Sequence, residues 1–241
     1  MSENPLLPHR QLRELHALML RCRELERKDR SRSSAREALL AATSIHLLAG
    51  DLLSANPKDQ TAGHLAPVGK KPSHNSSLIA TAALSARLPL CAAAARGLQA
   101  AGTEGLVLAF TQAGTSEPGW QAALEWAQQS QLPLLVACSD ATGGAPSRSG
   151  RRSEPAIDFA AMSKFAKRVK LPVLTVDGED AVAVYRVMQE SVLRARFGGG
   201  PAVLWAVMTP LNSVSPKLKR SSQPVARLES YLAARGILFS R

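Results

Sequence analysis

Aromatic residues are scarce in this chain: Phe, Trp and Tyr together make up 4% of 241 residues. An aliphatic core is therefore expected, and the interleaved aromatics on which nucleic-acid bases stack are missing. Cysteine is equally sparse. Cys22, Cys91 and Cys138 lie far apart and form neither a CxxC nor a zinc spacing. Each falls in an apolar-periodic segment, so they read as reduced core thiols of a cytoplasmic protein. No apolar run approaches the roughly 18 residues that a membrane helix needs. The N-terminal segment has no apolar centre of the signal-peptide kind, because Arg10, Arg13 and Glu14 interrupt it. The acidic Glu3, Glu14, Glu24 and Glu26 argue against a mitochondrial presequence. His9, His16, His46, His64 and His74 show no pair at metal-ligand spacing, and no Ser-His-Asp or Cys-His order is suggested. His64 and His74 lie in a long loop, where ordinary surface histidines are the plain expectation.

Acids are also in deficit: 19 Asp and Glu stand against 30 Lys and Arg, a formal charge of +11. The excess gathers around Arg148, Arg151 and Arg152, then Lys164, Lys167, Arg168 and Lys170, then Lys217, Lys219 and Arg220. Such patches are either a solvated basic face or a surface for an acidic partner. Nucleic acid is disfavoured by the want of aromatics.

A hydrophobic content of 45% suffices for one well-buried core. Leu12, Leu15, Met19, Cys22 and Leu25 recur at steps of three and four, which predicts a helix over 10–28. A second helix is expected over 35–48. Residues 54–77 carry Pro57, Gly63, Pro67, Gly69 and Pro72 among polar residues and read as a long loop. An alanine-rich buried helix is expected over 83–100. Four short apolar runs follow, at 106–110, 132–138, 172–176 and 202–208. Helices are expected between them, from Trp120, over 157–168 and over 180–196, with Thr115 or Ser116 near the first cap and Gly198 as a stop. Residues 143–155 read as a loop. A last helix over 224–235 has Pro224 in its first turn. Continuously apolar strands alternating with helices predict an α/β fold, a parallel sheet with helices on both faces.

In such sheets ligands bind beyond the carboxyl ends of the strands, here at residues 111–119 and 139–145. The turn TQAGTSEPG leads into a helix and offers free amides to an anion. It is not a P-loop, since no Gly-Lys-Ser/Thr follows Gly119, and no GxGxxG is present. A simple turn is the alternative.

The succession VLAFTQAGTSEPGWQAALEWAQQSQLPLLVACSDATG resembles the cofactor-motif region of the α subunits of thiamine-diphosphate-dependent 2-oxo acid dehydrogenases. The likeness extends, in order, to LRELHALMLRCRELE, SAREALLAATSIHLLAGD, LSARLPLCAAAARGLQ, the strand-helix-strand after the motif and QPVARLESYLAARGIL. It implies a thiamine-diphosphate-binding fold in one α-subunit-like domain over 1–241. Within that domain, 10–50 would be N-terminal helices, 54–77 a long loop, 83–208 the α/β core and 221–241 a C-terminal helix. The residues on which the family's chemistry rests are replaced. The motif aspartate, a magnesium ligand in the family, falls on Gln112, and the second asparagine of the motif falls on Ala141. The flanking glycines fall on Thr111 and Ala113, and a cofactor-contacting Tyr-Arg pair falls on Pro57 and Lys58. Residues 209–216 contain no histidine where the family has a histidine loop, and the chain is shorter than typical members. Lys58, Gln112, Gly114 and Asp140 are thus the candidate cofactor-binding positions or their neighbours. Asp140 stands next to a lost ligand and could replace it or be only a loop residue. No catalytic or metal-ligating residue is assigned.

The resemblance implies a non-catalytic homologue kept as a structural or regulatory subunit, with no cofactor. An active subunit with an altered metal site, using thiamine diphosphate and magnesium, is one alternative; a basic binding module for nucleic acid or an acidic protein is another. The expected partner is a β-subunit-like chain or a second copy. Leu15, Leu18 and Met19 on the first helix and Leu228, Tyr231 and Leu232 on the last are candidates for a partner face, or for packing inside the chain.

Overall fold

The structure, a computed structural model, describes residues 7–26, 35–56, 59, 87–142, 156–210 and 223–238. Five strands form one sheet: β1 (Leu52–Ser54), β2 (Val107–Gln112), β3 (Leu134–Asp140), β4 (Val173–Asp177) and β5 (Ala202–Val207). All neighbours are parallel, in the order β1-β2-β3-β5-β4. Every residue of β3 is buried, as a central strand covered on both faces requires.

The described helices are α1 (His9–Glu26), α2 (Glu37–Ser44), α3 (Arg87–Ala100), α4 (Trp120–Gln129), α5 (Phe159–Val169), α6 (Ala181–Arg196) and α7 (Pro224–Ala234). Their sides follow from right-handed crossovers. Going from β1 to β2, β3 and β4 the chain steps one way across the sheet, which places α3, α4 and α5 on one face. Returning from β4 to β5 puts α6 on the other, beside α1, α2 and α7. Two apolar cores result. Val107, Ala109, Val136 and Trp205 meet Leu88, Leu124 and Phe165 on the first face. Leu108, Leu135 and Leu204 meet Leu15, Leu39, Val184 and Leu228 on the second. Asp158 caps α5 by accepting from the Ala161 amide at 2.7 Å, and Asp180 caps α6 through the Val182 and Ala183 amides at 3.0 Å each. Each such cap contributes about 1 kcal/mol.

The α/β class and parallel sheet are as expected, and the structure corrects the pattern in four places. Strand β1 was not anticipated: it is three residues long and ends at Ser54, where a loop was expected to begin, so the sheet begins well before residue 83. Strands β2 and β3 run further than their apolar runs, through Gln112 and Asp140, because ladder pairing continues after the hydrophobic residues end. Neither Thr115 nor Ser116 caps α4. Gly119 does so at φ 73, and the turn is tied by Thr115 Oγ1 donating to the Gln112 carbonyl at 2.6 Å. Finally, Leu15, Met19, Leu228 and Leu232 are buried within the chain, where α1 and α7 pack on one core. Of that candidate partner face only Leu18 and Tyr231 are partly accessible. All three cysteines are free and buried, and burial pushes the Cys138 thiol well above its usual range.

Candidate functional site

The carboxyl edge of the sheet gathers side chains from β1, β2, β3 and β5. Ladder pairing sets Gln112 opposite Ser139 and Asp140 opposite Val207. Beyond β2 the chain turns at Gly114, whose φ of 82 suits glycine and whose amide donates to the Ile157 carbonyl at 2.8 Å. The same segment delivers Glu117 and then Gly119, where an added Cβ would come within 3.1 Å of Pro89. That close approach docks the start of α4 against the start of α3.

Two polar centres stand on this edge. In the first, Arg87 at the start of α3 is fully buried and its guanidinium binds the carboxylate of Glu117. Glu117 Oε1 also accepts from Thr111 Oγ1 at 3.2 Å, and Arg87 Nη1 lies 3.5 Å from Ser54 Oγ. Arg87 Nε has no hydrogen-bond partner among the described residues. Cys91, one helical turn along, has its thiol pushed up by burial and is no nucleophile at neutral pH. In the second centre, Asp140 is buried at the end of β3. Its Oδ1 accepts from the Thr142 amide at 2.9 Å and from Thr142 Oγ1 at 2.6 Å, while Oδ2 accepts from the Trp205 indole at 3.0 Å.

The fold therefore brings Gln112, Gly114 and Asp140 to one edge. Lys58, with Pro57, His64 and His74, lies outside the described residues. Arg87, Ser54 and Trp205 were not picked out in the sequence. One signal was available: Arg87 is the lone charge in the apolar, alanine-rich run ALSARLPLCAAAA, and a charge in such a run asks for a buried partner. Among the described residues no group of three or more His, Cys, Asp or Glu comes together to hold a metal ion. Among the same residues no helix is long and apolar enough to cross a membrane.

The model of the dehydrogenase E1 component family matches residues 35–209, which includes every strand of the sheet. The chain belongs to that family. Within it, the chain is 34% identical over 90 residues to the pyruvate dehydrogenase E1 component subunit alpha of Mycoplasma pneumoniae, a match covering 32% of this chain and 25% of that protein. Among solved structures, a thiamin diphosphate-dependent enzyme isolated from Mycobacterium smegmatis superposes with a TM-score of 0.53 at 17% identity, over 75% of this chain and 33% of that one. Benzoylformate decarboxylase from Polynucleobacter necessarius gives 0.51 at 14%, over 71% and 32%. These two likenesses establish a thiamine-diphosphate-type α/β fold. This E1-family chain matches a quarter of the length of its curated relative and about a third of each solved chain.

Proposed function

We propose that this E1-family chain is a non-catalytic α-subunit homologue that acts as a structural or regulatory subunit, beside a β-subunit-like chain or a second copy. The observation that carries the proposal is the chemistry of the strand ends. Magnesium with a diphosphate asks for hard oxygen donors, usually with one or two carboxylates among them. The two positions that resemble the family's ligands offer the neutral amide of Gln112 and the methyl group of Ala141. Asp140, the nearest carboxylate along the chain, has both oxygens engaged by Thr142 and Trp205. Turning it toward a metal would strand a buried indole N–H, at a cost of about 1–3 kcal/mol. The first polar centre is no better suited, since the positive charge of Arg87 is already matched by Glu117. The residues present do not fit a magnesium-diphosphate group.

Titration calorimetry of the chain with magnesium and thiamine diphosphate, alone and with a β subunit added, is the test. No saturable heat at micromolar ligand is expected in either case, and a stoichiometric, magnesium-dependent heat would refute the reading. Gln112→Asp with Ala141→Asn is expected to leave the complex without 2-oxo acid turnover, because Thr111, Ala113 and the engaged Asp140 remain. Turnover by that double variant would show a site more intact than proposed.

A further inference from the structure

A concave feature lies along β4, and its Phe159 packs at 5.4 Å against Trp205, the indole that donates to Asp140. Strand β4 pairs with β5 on one side only among the described residues. The Val203 amide donates to the Pro172 carbonyl and the Gly178 amide to the Val207 carbonyl, both at 2.9 Å. Alternation along a parallel strand then directs the backbone groups of Val173 and Thr175 and the Asp177 amide to the free edge, while the Asp177 carbonyl accepts from the Asp180 amide at 3.1 Å. Unpaired edges of this kind template an added strand.

Beside this edge runs a groove of about 430 Å³ between α5 and β4. Phe159, Ala166 and Val173 give it an apolar lining, and Lys167 and Lys170 add two exposed ammonium groups. Neither lysine has a carboxylate partner among the described residues, whereas Arg168 beside them is held by Glu125 at 3.0 Å. Helix α5 itself contains no acid. Lys170 is also one of two non-glycine residues at positive φ among the described residues, at 57°. Glycine is the unstrained choice at such a helix end, so a lysine there points to a use for its charge.

The sign of the charge narrows the occupant. The chain's own segments 143–155 and 211–222 carry Arg148, Arg151 and Arg152, and Lys217, Lys219 and Arg220. A second copy brings a formal charge of +11. Both are repelled by the lysines. We infer that the β4 edge and its groove receive an extended acidic segment of another protein, added as a strand beside β4. Its alternate aliphatic side chains enter the lining of Phe159, Ala166 and Val173, and its carboxylates meet Lys167 and Lys170. This docking surface stands on the groove alone and holds whether or not the carboxyl-edge site binds a cofactor.

The test uses the full chain and a fluorescein-labelled octapeptide alternating glutamate and valine, with a lysine-valine octapeptide as control, read by anisotropy. The glutamate peptide is expected to bind saturably and the control not at all. Lys167→Glu with Lys170→Gly is expected to weaken binding by about tenfold or more, the size expected when charges at a partly exposed interface are removed and reversed. Both side chains are exposed, so the variant folds; circular dichroism verifies this. Lys170→Gly alone is expected to raise the thermal midpoint while weakening the peptide, a split that a merely structural lysine would not produce. Amide shifts in nuclear magnetic resonance should fall on Val173, Thr175 and Asp177. The inference is overturned by absence of saturable binding, by equal affinity in the double variant, by unchanged binding in Lys170→Gly, or by shifts confined elsewhere. A single-stranded oligonucleotide that displaces the peptide at lower concentration would assign the groove to nucleic acid and overturn it as well.

Discussion

The two ends of the sheet each hold a buried arginine-carboxylate pair, and the pairs are built to different standards. At the amino end, Asp51 just before β1 meets Arg196 at the end of α6 through two bonds, at 2.9 and 2.5 Å. Asp51 also accepts from the Leu48 and Leu106 amides, at 2.7 and 2.9 Å, and Arg196 Nη1 reaches the Glu104 carbonyl at 2.6 Å. That cluster ties the turn before β1, the segment before β2 and the end of α6 together. At the carboxyl end, Arg87 and Glu117 pair through one nitrogen and leave Nε without a partner among the described residues. Complete satisfaction marks a cluster that secures the fold. Incomplete satisfaction marks the carboxyl edge, the side on which open α/β sheets bind their ligands. The same fold thus secures its amino end more completely than its carboxyl edge.

Removing the better-built pair should hurt most. Asp51→Ala leaves Arg196 buried without its carboxylate and strands two amides, so a loss of about 3–5 kcal/mol in denaturant unfolding is expected. A loss below that of Glu117→Gln would erase the contrast between the two ends. Glu117→Gln leaves Arg87 charged and unpaired, at an expected cost of about 2–3 kcal/mol. Combining it with Arg87→Met removes both charges, and the double variant should recover most of that loss, ending within about 1 kcal/mol of the parent. Equal losses in the single and double variants would mean that Arg87 does more at the carboxyl edge than answer Glu117.

The smallest effect concerns His46, which adjoins the amino-end cluster. Its Nε2 donates to the Tyr185 carbonyl at 3.2 Å, and its own carbonyl accepts from Arg196 at 3.4 Å. Burial, with the nearby Arg196 charge, lowers its pKa to about 4, against the bond to Tyr185, which raises it. The unfolded chain therefore binds a proton near pH 6.5 that the folded chain refuses until about pH 4. This contribution to stability is full above about 6.5 and is lost as pH falls toward 4, amounting to on the order of 2 kcal/mol after allowance for partial exposure. His46→Gln should flatten the stability profile in that window, and an unaltered slope would show that another group governs the acid limb.

Much of the frame was legible in the residues because its cause is local. Short runs such as LPLLVAC are apolar throughout, and only a strand covered on both faces uses such a run next to amphipathic helices. Likewise, Gln112 and Ala141 could be placed at the ends of neighbouring strands from the sequence, since each follows closely on an apolar run. Strand β1 escaped because three residues carry no period, and its place is decided by pairing Leu52–Ser54 with Val107–Ala109. Asp140 could be named, but its state could not: only the fold brings Trp205 within 3.0 Å of it, across the β3–β5 ladder.

By itself, then, the sequence determined the class of fold and the family resemblance, both properties of residue type and local order. The tertiary structure decided which charges neutralise one another, that Leu15, Met19, Leu228 and Leu232 face inward, and that Lys167 and Lys170 line a groove beside β4. Those depend on contacts between segments distant in the chain. Pairing energies of that kind are realised only when burial removes water and fixes both partners.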